Sequence, residues 1–319
     1  MKLINPHDNL DNADGESAAR SAATTRTTGV SMTVNVFLSV AQIVVGLLSK
    51  SQGLIADGIH SLSDLVADFV VLFANRESRK EADDEHPYGH HRFETAATLV
   101  LGVLLLVVGL GMLWSAFRKI EDPGSIHTVH SAALWVGIGS LIAKESLFRF
   151  MLSIAKRVKS SMLIANAWHA RSDAASSLVV SIGIIGNLMG YPIMDPIAAL
   201  VVGLMVARMG WEFALGALHD LVDRAADQTE VQAIYQTLLE TPGVNGVHDV
   251  RTRKMGDMIV VDAHIEVDAT ITVEEGHDIA VIARQRVLQR HRVLNLMIHV
   301  DPARRPDLDH VPFAVLQLK

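Results

Sequence analysis

Between Arg26 and Lys50 the chain carries no charged side chain. As an α-helix rising about 1.5 Å per residue, a run of that length covers the hydrocarbon core of a bilayer. In lipid every backbone N–H and C=O must be satisfied internally, so an isolated run of this kind has one folding option, the helix. The feature recurs along the chain. Apolar segments run from about Gly53 to Ala74, Thr95 to Phe117, Ser131 to Phe150, Met162 to Met189 and Pro196 to Leu218, and the one from Thr95 to Phe117 is again free of charge. Six transmembrane helices are expected, filling residues 27–220, with both termini on one side. Half the residues are hydrophobic and mean hydropathy is +0.29, high for a soluble protein.

Loop charge sets the orientation. Arg76, Arg79, Lys80 and Arg92 follow the second span, and Arg149, Lys156, Arg157 and Lys159 follow the fourth. The opposite loops, "SKSQG", "RKIEDPGSIHTVH" and "NLMGYP", are poorer in positive charge. The positive-inside tendency therefore places the first set and both termini in the cytoplasm. Residues 1–26 are polar, without the apolar core of a secretory signal. They read as a flexible cytoplasmic leader, or in their second half as a short amphipathic surface helix. The chain has no Cys, which excludes disulfides, thiolate zinc sites and iron–sulfur clusters. A net charge of −7 argues against nucleic acid as a partner.

From residue 221 to 304 charges become frequent. "TEVQAIYQTLLETPG" reads as an amphipathic helix capped at Thr229. "VHDVRTRKMG" and "MIVVDAHIEVD" read as strands joined at Gly256-Asp257. A helix and a third strand, "VLNLMIHVDP", follow. This αββαβ order predicts a small metallochaperone-like (ferredoxin-like) domain with both helices on one face of the sheet. Residues 305–319 form a C-terminal tail.

An ionisable group at the bilayer centre costs at least about 2.5–3.5 kcal/mol, so those inside the spans need a reason. In the second span His60 and Asp64 lie four apart, hence on one helix face. The fifth span repeats the pattern with His169 and Asp173. Two helices each presenting one His and one Asp supply four N/O ligands, the number and type that a tetrahedral Zn²⁺ site takes. Asp57 and Asp68 extend the stripe and read as wet walls of an ion path. Lys144 with Glu145, and Arg208 with Glu212, are expected to be helix-end charges toward the cytoplasm, the last two paired at i,i+4.

The segments "GLIADGIHSLSDL", "DDEHPYGHHRFE", "ANAWHARSDAASS" and "MDPIAALVVG" resemble those of the cation diffusion facilitator family, and the resemblance covers nearly all of the chain after about residue 28. It implies a homodimeric metal/proton antiporter in a lipid bilayer, for this chain a bacterial inner membrane, exporting divalent transition metals with protons as counter-ion. It carries the transport site onto His60, Asp64, His169 and Asp173. Some bacterial members have Asp where this chain has His60. The two-His, two-Asp pattern resembles that of zinc-preferring members. A second metal site is implied at Asp83, His86 and His90, and a cytoplasmic two-metal site at His248, His264, His299 and Asp301, joined by His277. Arg92 and Asp223 fall at positions implying a charge interlock across the dimer.

Period two places His299 and Asp301 on one strand face, and His264 and His248 on neighbouring strands can converge on them. Zn²⁺ is the expected cargo and bound ion. Fe²⁺, Mn²⁺, Co²⁺ or Cd²⁺ is the alternative within transport, and ligand type alone does not separate Zn²⁺ from Co²⁺, Ni²⁺ or Fe²⁺. A metal sensor or assembly scaffold that no longer transports is the rival class, and the intact membrane quartet argues against it. An enzyme is not expected: a four-ligand site is closed, whereas catalytic zinc keeps a position open.

Overall fold

The structure is a computed structural model describing residues 6–78, 80–122, 124, 126, 128–157 and 161–303. The tail expected over 305–319 lies outside the described residues, as do residues 1–5 of the leader. Six long helices come first: α1 (Pro6–Ser49), α2 (Gln52–Ser78), α3 (Arg92–Glu121), α4 (Ser131–Arg157), α5 (Ser161–Leu188) and α6 (Met194–Leu221). The leader, read as flexible, is carried from Pro6 into the same helix as the first apolar run.

Among the described residues, Thr27–Ser49, α3 and α6 are long and apolar enough to cross a membrane, at mean hydropathies of 1.9, 2.6 and 1.6. The other three helices contain Asp57, His60, Asp64 and Asp68, Lys144 and Glu145, and His169 and Asp173. The helices are inverted relative to a soluble bundle. Phe37, Leu48, Val107 and Trp114 are exposed, while Gln42, Asp57, Lys144, Ser176 and Ser177 are buried. Apolar side chains outward and polar ones inward is the arrangement that lipid selects.

Glycines let α3 and α6 touch backbone to backbone. A Cβ on Gly109 would stand 2.5 Å from the Ala207 nitrogen, and one on Gly210 would stand 2.4 Å from the Leu106 nitrogen. Small residues at such crossings replace the hydrophobic drive that lipid does not supply.

The start of α2 is held by a neighbouring helix. Asp195, buried at the N-terminus of α6, accepts from the Ser51 hydroxyl at 2.6 Å and from the backbone N–H of Gln52 at 2.6 Å. The Ser51 hydroxyl in turn accepts from the Leu54 N–H at 3.1 Å, capping α2. Asp195→Ala leaves buried donors without acceptors. It is expected to cost about 1–3 kcal/mol, read as a lowered Tm in detergent, with Asp195→Asn losing less because it keeps one acceptor.

After α6 come α7 (Gln228–Leu239), β1 (Gly246–Met255), β2 (Met258–Val267), α8 (Val273–Arg290) and β3 (Val293–Pro302). This is the expected αββαβ order. The sheet runs β1-β2-β3, with β1/β2 antiparallel and β2/β3 parallel. The β1–β2 turn falls at Gly256-Asp257 as expected, with Gly256 at φ 65°. Ile234 and Leu238 of α7 and Ala283 and Val287 of α8 share one core with Val261, Ala263 and Ile265 of β2. Both helices therefore cover one sheet face, and the even-numbered β2 residues point to the other.

One cap differs from expectation. The backbone is extended at Asp227, so α7 starts at Gln228 and Thr229 falls inside its first turn, where it is no cap. The side-chain cap belongs to α8, where Thr272 and Glu275 form a reciprocal capping box.

Candidate metal centres

The i,i+4 spacing on α2 sets His60 and Asp64 on one face, with His60 Nδ1 3.6 Å from Asp64 Oδ2. Helix α5 brings Asp173 to the same place. One ligand atom from each of His60, Asp64 and Asp173 lies within 4.8 Å of the others. His60 is buried, and its Nδ1 has no hydrogen-bond partner. A buried imidazole nitrogen left unsatisfied is costly, and a metal ion is the ligand that two carboxylates and an imidazole would take. His169, one turn before Asp173 on α5, is exposed and stands outside this trio.

The expected wet path is corrected at Asp57. Its side chain is 0% exposed and accepts from Gln42 of α1, from Lys144 of α4 at 3.3 Å, and from Ser176 and Ser177 of α5 at 2.6 and 2.5 Å. A carboxylate with that many donors is a dry, satisfied group rather than a water-lined wall. Lys144 is corrected with it: it is no helix-end charge but one of the largest fully buried side chains. Glu145 pairs instead with Arg149 at 2.8 Å, and Arg208 with Glu212 at 2.8 Å as expected. Asp68 is exposed. The sequence holds the two charges but not their contact: Asp57 lies inside one apolar run and Lys144 inside another, and only the packing of α2 against α4 pairs them.

In the loop after α2, Asp83, His86 and His90 form a second cluster. Asp83 Oδ1 accepts from the His86 backbone N–H at 2.7 Å and lies 3.3 Å from His86 Nδ1, while Oδ2 lies 3.4 Å from His90 Nε2. His90 Nδ1 faces the Glu81 carbonyl at 3.1 Å, a contact that fixes the ring and leaves Nε2 toward Asp83. The His86 N–H holds the Asp83 carboxyl below the ordinary carboxylate range, with the His90 charge adding to it. A depressed folded pKa contributes order fully above the unfolded value and loses it as pH falls through the folded one. Acidifying below the ordinary carboxylate range is therefore expected to release this turn. Hydrogen exchange over residues 80–91, corrected for its intrinsic pH dependence, reads it, and Asp83→Ala should show the released state at neutral pH.

Arg92 Nη2 meets Asp223 Oδ1 at 2.5 Å. The two residues expected to form a charge interlock are thus brought together within the chain. Asp223 sits at φ 63°, a left-handed turn after α6.

The third cluster stands on the helix-free face of the sheet. His248, His264 and His299 occupy one row of register partners across the three strands, and Glu266 and Asp301 the next. Asp301 is the hub: Oδ2 lies 2.9 Å from His264 Nδ1 and 3.4 Å from His248 Nε2, and Oδ1 lies 3.2 Å from His299 Nε2. The bond to His264, and then the nearby imidazoles, hold the Asp301 carboxyl below its ordinary value. A one-residue bulge after His248, with Asp249 at φ 52°, bends β1 there. His277, on α8, is exposed and outside the cluster.

Glu266 was not foreseen. Its Oε1 lies 3.5 Å from His248 Nδ1, while His248 Nε2 faces Asp301. It stands two residues after His264, so period two would have placed it on this face. Gly246 makes room for it: a Cβ there would stand 2.8 Å from Glu266 Oε2.

The family model described as "Cation efflux transmembrane domain" matches residues 29–222, and that described as "Cation efflux protein, cytoplasmic domain" matches 226–303. The chain is similar to Metal tolerance protein C1 of Arabidopsis thaliana, at 36% identity over 287 residues covering 85% of this chain and 61% of that protein, so it spans less than two thirds of the plant protein's length. It is 33% identical over 273 residues to Manganese efflux system protein MneS of Bacillus subtilis, covering 86% of this chain and 93% of that one. Magnetosome protein MamB of Magnetospira sp. (strain QH-2) is 32% identical over 262 residues, covering 82% and 89%. With both halves of the chain matched in this way, it belongs to the cation diffusion facilitator family, whose members are membrane transporters for divalent-metal efflux rather than enzymes.

Proposed function

We propose that the chain exports Zn²⁺ from the cytoplasm in exchange for protons, as a homodimer with six spans per copy and cytoplasmic termini. The observation that carries this reading is the convergence of the buried His60 with the half-buried Asp64 and Asp173 from two helices. His169 completes the set by a side-chain rotation on the same face of α5. Metal binding needs neutral imidazole and ionised carboxylate, so metal and protons compete for the same atoms. In the inward-open state the site takes Zn²⁺. In the outward-open state protons displace it, and their return drives the next cycle.

The loop cluster of Asp83, His86 and His90 binds metal near the cytoplasmic surface. The sheet cluster of His248, His264, His299 and Asp301, with His277 joining, senses cytoplasmic metal and favours the dimer. Residues 1–26, 27–220, 221–304 and 305–319 act as leader, transport domain, sensing domain and tail.

Mn²⁺ is the second reading. The trio already assembled offers one nitrogen and two carboxylates, a set harder than the full quartet, and one similar protein bears the name of a manganese efflux system. Competition of Zn²⁺ uptake in proteoliposomes by Mn²⁺, Fe²⁺, Co²⁺ and Cd²⁺ separates them. Zn²⁺ as cargo predicts that equimolar Mn²⁺ leaves uptake nearly unchanged; strong inhibition together with Mn²⁺ flux assigns manganese.

A further inference from the structure

Asp57 gathers donors from three other helices, and the same contacts reach the transport site. Lys144 Nζ lies 3.3 Å from Asp57 Oδ1 and 3.4 Å from the backbone carbonyl of Asp173. The Ser176 hydroxyl spans Asp57 Oδ1 at 2.6 Å and the same carbonyl at 2.7 Å. Asp57 is one turn before His60 on α2, and Ser176 is one turn after Asp173 on α5. Gln42 adds a contact from α1 and continues to Ser140 at 3.0 Å.

We propose that Asp57 and Lys144 are positioning residues that set the charge felt by the transported ion. As a pair they cancel, leaving the two carboxylates of Asp64 and Asp173 to match a divalent cation. This rests on the transport-site reading above. Its consequence is a pair of opposite signs. Asp57→Asn strands the Lys144 ammonium beside the site and weakens capture of the cation. Lys144→Gln strands the Asp57 carboxylate, which tightens capture and slows release. At such separations in a protein interior, one uncompensated charge changes affinity by about tenfold or more. A purely structural clamp would instead make both variants worse in the same direction.

The test uses the full chain in proteoliposomes, with Zn²⁺ flux measured against Zn²⁺ concentration at a fixed pH gradient. Asp57→Asn is expected to raise KM about tenfold, and Lys144→Gln to lower both KM and the maximal rate by a similar factor. The double variant Asp57→Asn/Lys144→Gln leaves no unpaired charge, so it tolerates burial even where a single variant misfolds. Its KM should fall within about threefold of wild type. Same-direction changes in both singles, or a double variant with KM raised beyond tenfold, overturn the proposal. Asp173→Ala in the same vesicles separates the two levels. If it abolishes flux, those outcomes sink only the charge pairing; if flux survives, the transport-site reading falls and takes this one with it.

Discussion

Asp173→Ala is expected to reduce proton-driven Zn²⁺ flux by at least about a hundredfold, since even partners behind a metal ligand are worth 10–100-fold. Asp173 is the residue through which α5 reaches the pair on α2. Without it the set loses one of its two carboxylates, and only His169 is left on α5 to join His60 and Asp64. Three ligands leave the tetrahedral shell unfilled and half of the carboxylate charge missing. The loss should appear in flux while the protein stays monodisperse. Arg208→Ala is the matched control: it removes an exposed i,i+4 pair with Glu212 and should leave flux within about twofold.

Asp301→Ala should abolish metal binding by the cytoplasmic cluster, a loss of about a hundredfold or more in affinity, because three imidazoles face its two oxygens. Glu266→Gln should cost only about tenfold, since Glu266 orients His248 from behind. The ranking distinguishes a hub from a supporting carboxylate. Asp301 is held below the ordinary carboxylate range, so it is already ionised at neutral pH and ready to take a cation. Titration of the full chain with Zn²⁺ in detergent, against a background in which Asp173→Ala silences the membrane site, reads both variants.

The helices and strands were legible in the sequence because their periods were strong. Long uncharged runs announced α1 and α3, and alternating apolar residues announced β2. The paired HxxxD motifs announced the trio, since only a helix brings residues four apart onto one face. What the sequence concealed were distances between helices. Nothing in "IADGIH" says whether Asp57 faces water or Lys144, because that depends on how α2, α4 and α5 pack. Glu266 was hidden differently: its spacing from His264 was visible, but glutamates on exposed sheet faces are commonplace. The start of α7 was misplaced because Asp227 and Thr229 are both good caps, and the backbone decided between them.

The measurement closest to the central claim is simultaneous Zn²⁺ and proton movement across proteoliposomes under an imposed pH gradient, for wild type and for His60→Ala. The account predicts that Zn²⁺ moves against protons in wild type and that both fluxes vanish together in the variant. Zn²⁺ flux that persists in His60→Ala, or that runs without proton movement in wild type, would contradict it.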